Sequence, residues 1–240
     1  MHKLEIIGFT IESCVAAQNA GANRIELCDG PGEGGTTPSY GFIKTAREKL
    51  SIDLFVMIRP RGGDFLYSED EFEMMKSDVL LCKQLGCDGI VTGILTPDGK
   101  VDIERNKELV ELAAPLKATF HRAFDRVSNP SESLEDVIDI GFERILTSGG
   151  VPKAIDGAQN LADLIAQAAG RISIMPGSGV NASNILALAK ITNAIEFHSS
   201  ASLSLESGMD YINENMNENL STVLADENSV QEMVKALKKL

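Results

Sequence analysis

Short apolar runs alternate with longer segments of mixed polarity along most of the chain. The runs are rich in β-branched and other apolar residues, and they start about 27 residues apart, a spacing typical of a strand followed by a helix. Antiparallel hairpins have much shorter connections. The pattern therefore predicts eight β-strands: LEIIGF (4–9), RIELC (24–28), LFVMIRP (54–60), GIVTGI (89–94), ATFHRAF (118–124), RILTSG (144–149), ISIMPG (172–177) and AIEFHS (194–199).

The same short motif leads into three of these strands. A glycine follows a predicted helix, and an isoleucine stands four residues later in the next strand. Loops from helix to strand favour glycine at the helix C-terminus. The repeated spacing supports a chain built from repeated strand–helix units, and the three copies are Gly21–Ile25, Gly86–Ile90 and Gly141–Ile145.

Eight strand–helix units in about 200 residues predict an α/β protein with a single-domain (β/α)8 TIM barrel. The alternative is an open doubly wound sheet, which normally has a GxGxxG turn after its first strand. Here the first strand leads into GFTIESC instead, and this disfavours the open sheet. We expect residues 1–205 to form the barrel and residues 206–240 to form a C-terminal extension that packs on the barrel or on a partner subunit.

Composition and charge narrow the classes of function. The chain has 240 residues, of which 43% are hydrophobic and 24% charged, so it can bury a full core. With 22 Lys and Arg against 35 Asp and Glu, its net charge of −13 disfavours nucleic acid and anionic membranes as partners. No run is long and apolar enough to span a bilayer, and no signal peptide is recognisable. We expect a cytoplasmic protein.

The polar residues at the predicted strand ends are the candidates for chemistry, because TIM barrels hold their active sites at the C-terminal ends of the strands. His121 ends strand five and has an ordinary pKa suited to proton transfer. Glu26 faces the barrel interior by its alternation with Arg24. We expect His121 and Glu26 to exchange protons, and Asp125 to orient the imidazole.

Three arginines near one rim predict a pocket for an anionic substrate. Arg59, Arg61 and Arg122 follow strands three and five. Glycines after strand seven allow backbone N–H groups to approach an anion closely, although GSG can also be a plain tight turn. No lysine ends a predicted strand, which disfavours Schiff-base chemistry. The remaining predicted substrate-binding residues are Glu5, Asp64, Thr92, Ser148, Gly177, Gly179, Glu196, His198 and Ser199.

Two plainer interpretations remain open. Glu5, Glu26 and Glu196 could form internal ion pairs with the arginines, because such networks perturb pKa values without catalysis. The cysteines Cys14, Cys28, Cys82 and Cys87 have no zinc-binding spacing, and free cysteines in a reducing compartment are usually small buried hydrophobic residues.

Several long motifs in this chain are similar to those of the CutC family. They are RIELC, EGGTTPS, IRPRGGDFLYS, TFHRAFD, ERILTSGG and EFHSSA, and the likeness runs from about Leu4 to Met209. The resemblance implies a (β/α)8 barrel, a cytoplasmic homodimer and a role in copper homeostasis. It also implies Cu(I) binding at the barrel mouth through Cys28 and a second cysteine in strand one, where this chain has Ile7.

Two hypotheses about function follow. The first is a role in copper homeostasis, with Cu(I) bound at Cys28. The second is an enzyme that acts on a small anionic or phosphorylated substrate. In it, Arg59, Arg61 and Arg122 hold the anion, while His121 and Glu26 act as acid and base.

Overall fold

The computed structural model describes residues 2–240 and contains eight parallel strands in one sheet. Each strand lies within or beside the run that predicts it. Their bounds are β1 (Lys3–Gly8), β2 (Arg24–Leu27), β3 (Asp53–Met57), β4 (Gly89–Thr92), β5 (Lys117–Phe120), β6 (Arg144–Thr147), β7 (Ser173–Pro176) and β8 (Glu196–Ser199).

A helix follows each of the first seven strands, and an eighth lies near the C-terminus. Several helices begin at side chains that satisfy free backbone N–H groups, such as Ser68, which forms a capping box with Glu71. The helices are α1 (Ile11–Asn19), α2 (Tyr40–Lys49), α3 (Glu69–Gln84), α4 (Ile103–Ala113), α5 (Pro130–Ile140), α6 (Ala158–Ala168), α7 (Ile185–Thr192) and α8 (Glu227–Leu237).

The strands follow one another around a nearly closed barrel. The hydrogen-bonded order runs β7-β6-β5-β4-β3-β2-β1-β8, so the first strand pairs with both the second and the last. Glu5 lies opposite Arg24 of β2 and His198 of β8 in this register. The prediction of a (β/α)8 TIM barrel is confirmed, and the C-terminal ends of all eight strands meet at one mouth.

Glycine makes the turns from helix to strand that the repeated motif predicts. Gly141 ends α5 at a φ of +100°, and Gly21 follows α1 at a φ of +96°. These left-handed conformations strain any residue with a Cβ. The three-copy motif is therefore a property of the backbone geometry.

The chain after β8 forms a hairpin and then α8. Strand β9 (Ser202–Leu205) pairs antiparallel with β10 (Thr222–Ala225), so residues on both sides of the expected 205/206 boundary share one small sheet. Helix α8 packs against α1, α7 and β1, burying Val230 and Met233. Within residues 2–240, none of the helices combines the length and the apolar character that a membrane span requires.

Candidate functional site

A buried ion-pair network fills the barrel below its mouth. Arg24 forms ion pairs with Glu5 and, at 2.6 Å between Nη2 and Oε2, with Glu196. Arg144 Nε approaches the same Glu196 oxygen to 3.2 Å. The centroid of the Phe55 ring lies 4.9 Å from the guanidinium carbon of each arginine. Glu196, a predicted substrate-binding residue, is thus engaged in an internal network.

Glu5 links this network to a second carboxylate and a histidine nearer the mouth. His198 Nδ1 lies 2.7 Å from Glu5 Oε1, and His198 Nε2 lies 3.9 Å from Glu26 Oε2. One ligand atom from each of these three buried residues lies within 4.8 Å of the others. The Cys28 thiol donates a hydrogen bond of 3.6 Å to Glu26 Oε2.

The two carboxyl groups of this cluster have opposite pKa shifts. Burial alone would raise the pKa of Glu5, but Arg24 and His198 outweigh it and lower the value to about 2. Burial raises the pKa of Glu26 to about 7; the charges of His198 and Arg24 compensate only in part, and the charge of Glu5 adds to the rise. Burial opposes the imidazolium of His198, yet Glu26 and Glu5 raise its pKa.

His121 and Asp125 lie near each other in sequence but have different partners. His121 Nδ1 accepts a hydrogen bond of 3.2 Å from the backbone N–H of Ala123, and burial with the charge of Arg59 lowers its pKa to about 3. Asp125 instead accepts hydrogen bonds from Thr147 Oγ1 at 2.5 Å and from the backbone and hydroxyl of Ser148. The expected orientation of the imidazole by Asp125 therefore has no contact to support it.

A cavity of about 80 Å³ opens among these side chains at the mouth. Glu26, Arg59, His121 and His198 all line it, together with apolar side chains such as Ile7. These four polar residues, which the sequence places at or near the ends of four different strands, therefore meet at one cavity. Wider clefts of about 720 and 450 Å³ lie on either side. The cavity and both clefts share two lining residues, Gly34 and Arg122.

The three predicted arginines have different environments. Arg59 is buried and donates to the backbone oxygens of Glu33, Gly35 and Gly63, at 2.7, 2.9 and 3.0 Å. Arg122 lines the cavity and both clefts, although its Nε donates to Asp125 at 2.7 Å.

Arg61 lies away from the mouth cavity. Its guanidinium group donates to Asp64 at 2.9 Å, to Glu71 at 2.6 Å and to the backbone oxygen of Leu66 at 2.7 Å. Strand β3 ends at Met57, so Arg59 and Arg61 both lie in the irregular segment that follows it. The structure thus brings two of the three arginines to the mouth.

Other predicted residues have structural partners. Thr92 Oγ1 donates to the backbone oxygen of Ile58 at 3.1 Å, and Ser199 Oγ to that of Val180 at 2.6 Å. Gly177 packs so tightly that a Cβ there would lie 2.3 Å from a Leu146 methyl carbon. Of the other predicted residues, Asp64 lines the 720 Å³ cleft and Gly179 lines the 450 Å³ cleft.

Several residues that shape the mouth were not predicted from the sequence. Met57 lines the cavity from β3, two positions before Arg59, and alternation along the strand could have identified it. Phe65 comes from an irregular loop, and its ring centroid lies 4.8 Å from that of His121. No periodic pattern indicates the position of such a loop residue.

Cys28 is fully buried beside the cavity. It packs in a small cluster with Ile7, Phe55, Met57 and Val91. Burial, together with the charge of Glu26, raises the pKa of its thiol well above the usual value. Ile7 occupies the position where the family resemblance suggests a second cysteine, so Cys28 has no thiol partner in strand one.

Comparisons with known proteins agree with these motifs. The model of the CutC family matches residues 2–203. A CutC family protein of Chromobacterium violaceum is 53% identical over 208 residues, covering 87% of this chain and 84% of the relative. A mouse relative named copper homeostasis protein cutC homolog is 49% identical over 210 residues, covering 88% of this chain and 77% of its own.

Solved structures show the same relationship. A CutC protein of Streptococcus agalactiae superposes with a TM-score of 0.79 at 36% identity, covering 83% of this chain and 99% of that one. A phosphoribosylanthranilate isomerase of Thermotoga maritima, at a TM-score of 0.62 and 14% identity, covers all of both chains and shares the fold alone. The strand-end motifs, the barrel and these matches together show that the chain belongs to the CutC family.

Proposed function

We propose that this protein takes part in copper homeostasis and binds Cu(I), as its cargo, beside the barrel mouth. The names of the mouse and streptococcal relatives support the role. One structural observation supports the site. A Cβ placed on Gly35 would lie 3.1 Å from Cys28 Sγ and 3.5 Å from Met57 Cε, so two sulfur-bearing side chains meet at one point. Thiolate and thioether sulfur are the ligands that Cu(I) prefers.

The carboxylate beside Cys28 explains how a buried thiol could take up the ion. The raised pKa keeps the thiol protonated, so Cu(I) must displace a proton to form a copper–sulfur bond. Glu26 Oε2 already accepts the hydrogen bond of that thiol at 3.6 Å. The proton passes to Glu26 as the bond forms.

Replacing Cys28 by Ser is expected to lower Cu(I) affinity by at least about 100-fold, since changes to outer-shell partners alone cost about 10- to 100-fold. Competition with bicinchoninate under anaerobic conditions measures the affinity. Cys87→Ser is the control, because Cys87 is a buried thiol that precedes the start of β4. Equal affinities for the wild type and Cys28→Ser would remove the proposed Cu(I) site.

A second function, catalysis on a small anionic or phosphorylated substrate, is favoured by unpaired polar atoms at the cavity. Glu26 Oε1, Arg59 Nε and His121 Nε2 are buried without a hydrogen-bond partner among the described residues. Buried polar groups normally have hydrogen-bond partners, so three unsatisfied polar atoms on residues that line one cavity indicate a ligand. In this proposal Glu26 exchanges the proton, and Arg59 and Arg122 hold the anion.

Anions are expected to stabilise the protein if this second function is correct. Phosphate or sulfate at a hundredfold excess over its Kd should raise the free energy of unfolding by about 2.7 kcal/mol. Thermal unfolding in matched ionic strength measures the effect. Arg122→Gln should reduce it, whereas Arg171→Gln should not, because Arg171 pairs with Glu135 at the surface. Unchanged stability in both anions would contradict the anion site.

We further propose a cytoplasmic homodimer. The free thiols of all four cysteines support the compartment, because oxidising compartments favour disulfides.

The segment 203–220 supports the dimer, because its exposed apolar side chains need a covering surface. Light scattering of the wild type should give twice the mass of one chain. The double variant Tyr211→Ser, Ile212→Ser should give the mass of a single chain. The exposed side chains are Leu203, Leu205, Met209, Tyr211, Ile212, Met216 and Leu220.

A further inference from the structure

Three unpaired polar atoms define the ligand that the mouth cavity can hold. Glu26, Arg59 and His121 are 1%, 5% and 3% exposed, and all three line the same space of about 80 Å³. Each has a polar atom without a hydrogen-bond partner in residues 2–240. Because a buried polar atom without a partner is costly, the ligand must match each atom with the opposite hydrogen-bonding role.

The hydrogen bond at Nδ1 fixes what His121 offers to the cavity. Nδ1 accepts the backbone N–H of Ala123, so a neutral imidazole carries its proton on Nε2. Burial and the nearby charge of Arg59 favour the neutral ring by lowering its pKa to about 3. His121 therefore presents an N–H donor at the cavity, whereas the sequence suggested a residue that exchanges protons.

Arg59 supplies a second donor. Backbone oxygens of the surrounding loops accept three of the five N–H donors of the guanidinium group, and Nε is its nitrogen without a partner among the described residues. The Phe65 ring packs against both donors, 5.0 Å from the Arg59 guanidinium carbon and 4.8 Å, between ring centroids, from His121. Both residues therefore pack against one aromatic ring, and an acceptor oxygen of the ligand would satisfy their free donors.

Glu26 completes the site with the opposite role. Oε2 accepts the Cys28 thiol, which leaves Oε1 of the ionised carboxyl group as an acceptor that needs a donor from the ligand. Apolar side chains, among them Ile7 and Met57, form the remaining walls and suit a short carbon skeleton. The ligand therefore needs an acceptor oxygen for the two donors and a hydroxyl group for Glu26.

We propose that the cavity binds the reactive end of a short hydroxycarbonyl or hydroxycarboxylate compound. The carbonyl or carboxylate oxygen accepts from His121 Nε2–H and Arg59 Nε–H, and the adjacent hydroxyl donates to Glu26 Oε1. A space of about 80 Å³ equals fewer than three water molecules at about 30 Å³ each, so it holds a few heavy atoms. The rest of a larger ligand extends past Gly34 and Arg122. This inference rests on the second proposed function and specifies its substrate class.

Matched pairs of small probes test the hydroxyl directly. Glycolate, lactate and hydroxyacetone carry it, whereas acetate, propionate and acetone lack it. Calorimetric or NMR titration should show at least about 10-fold tighter binding for each hydroxyl-bearing probe, as expected for a hydrogen bond to a charged group. His121→Phe should weaken hydroxyacetone binding by a similar factor, whereas His2→Gln, at the opposite end of the barrel, should not.

A second measurement does not depend on whether a variant folds. Nitrogen-15 NMR of the wild-type imidazoles should show His121 neutral and protonated at Nε2 from about pH 5 to 8, with an Nε2–H signal that moves when hydroxyacetone is added. A proton on Nδ1, titration of His121 in that range, or no shift with any of the three hydroxyl-bearing probes would overturn the inference.

The outcomes also separate this inference from the function on which it rests. If phosphate and sulfate stabilise the protein but probes with and without the hydroxyl bind equally, the anion site stands and the hydroxycarbonyl site falls. If uncharged hydroxyacetone binds through its hydroxyl while the anions have no effect, the hydroxycarbonyl site is supported and the binding of an anion by Arg59 and Arg122 is contradicted.

Discussion

Replacing Arg24 by Met is expected to lower the free energy of unfolding by about 3–5 kcal/mol, because it leaves buried carboxylates without their counter-charge. Arg24 contacts both Glu5 and Glu196, and its side chain is 2% exposed. Arg144 also approaches Glu196, whereas His198 is the other partner of Glu5. Urea unfolding at pH 7 measures the loss.

An exposed ion pair provides the control for Arg24. Arg171 and Glu135 lie 2.6 Å apart with side chains 45% and 43% exposed, so Arg171→Met should cost much less stability than Arg24→Met. Adding Glu5→Gln to Arg24→Met should recover part of the lost stability, because it removes one uncompensated charge. Equal losses for the two single variants would mean that the network does not stabilise the barrel.

Replacing Glu26 by Gln is expected to stabilise the protein at pH 8 by up to about 3 kcal/mol. The carboxyl has a pKa of about 7 in the folded chain against an ordinary value of 4.5. A pKa difference of one corresponds to about 1.36 kcal/mol. The folded state therefore holds this proton more tightly, and wild-type stability falls as the pH rises from 4.5 to about 7. Losing the attraction to His198 acts in the opposite direction, so this figure is an upper limit.

The test of Glu26 compares unfolding at about pH 4 and pH 8. The variant should exceed the wild type at pH 8 and approach it at pH 4, while losing the hydroxyl-dependent binding described above. Glu232→Gln, at an exposed position of α8, should behave like the wild type at both values. A variant less stable than the wild type at pH 8 would show that Glu26 is not held at an energetic cost.

The sequence predicted the barrel well because its signals are local. Strands buried on both faces read as apolar runs, and glycines such as Gly21 and Gly141 are required by left-handed turns. The C-terminal hairpin was not predicted, since β9 and β10 pair across residues 206–221. Such pairing between distant short strands has no local periodic pattern.

The site was predictable only as far as the strands extend. Alternation places Glu26 and His198 inside the barrel because both lie within regular strands, β2 and β8. Beyond the strand ends, alternation no longer indicates which way a side chain faces. Arg61, which was predicted at the mouth, lies outside the cavity. Asp125 lies in a short 3₁₀ helix, where its partners depend on the neighbouring loop. The neutral state of His121 depends on burial and on Arg59, which comes from a different strand end.

Glu26, Arg59 and His121 line one cavity at the barrel mouth, and the proposed ligand binding depends on this arrangement. A high-resolution crystal structure of the protein soaked in glycolate tests it most directly. We expect glycolate in the cavity, with its carboxylate within hydrogen-bond distance of His121 Nε2 and Arg59 Nε and its hydroxyl on Glu26. A cavity closed by protein side chains, or these three residues directed to separate surfaces, would contradict it.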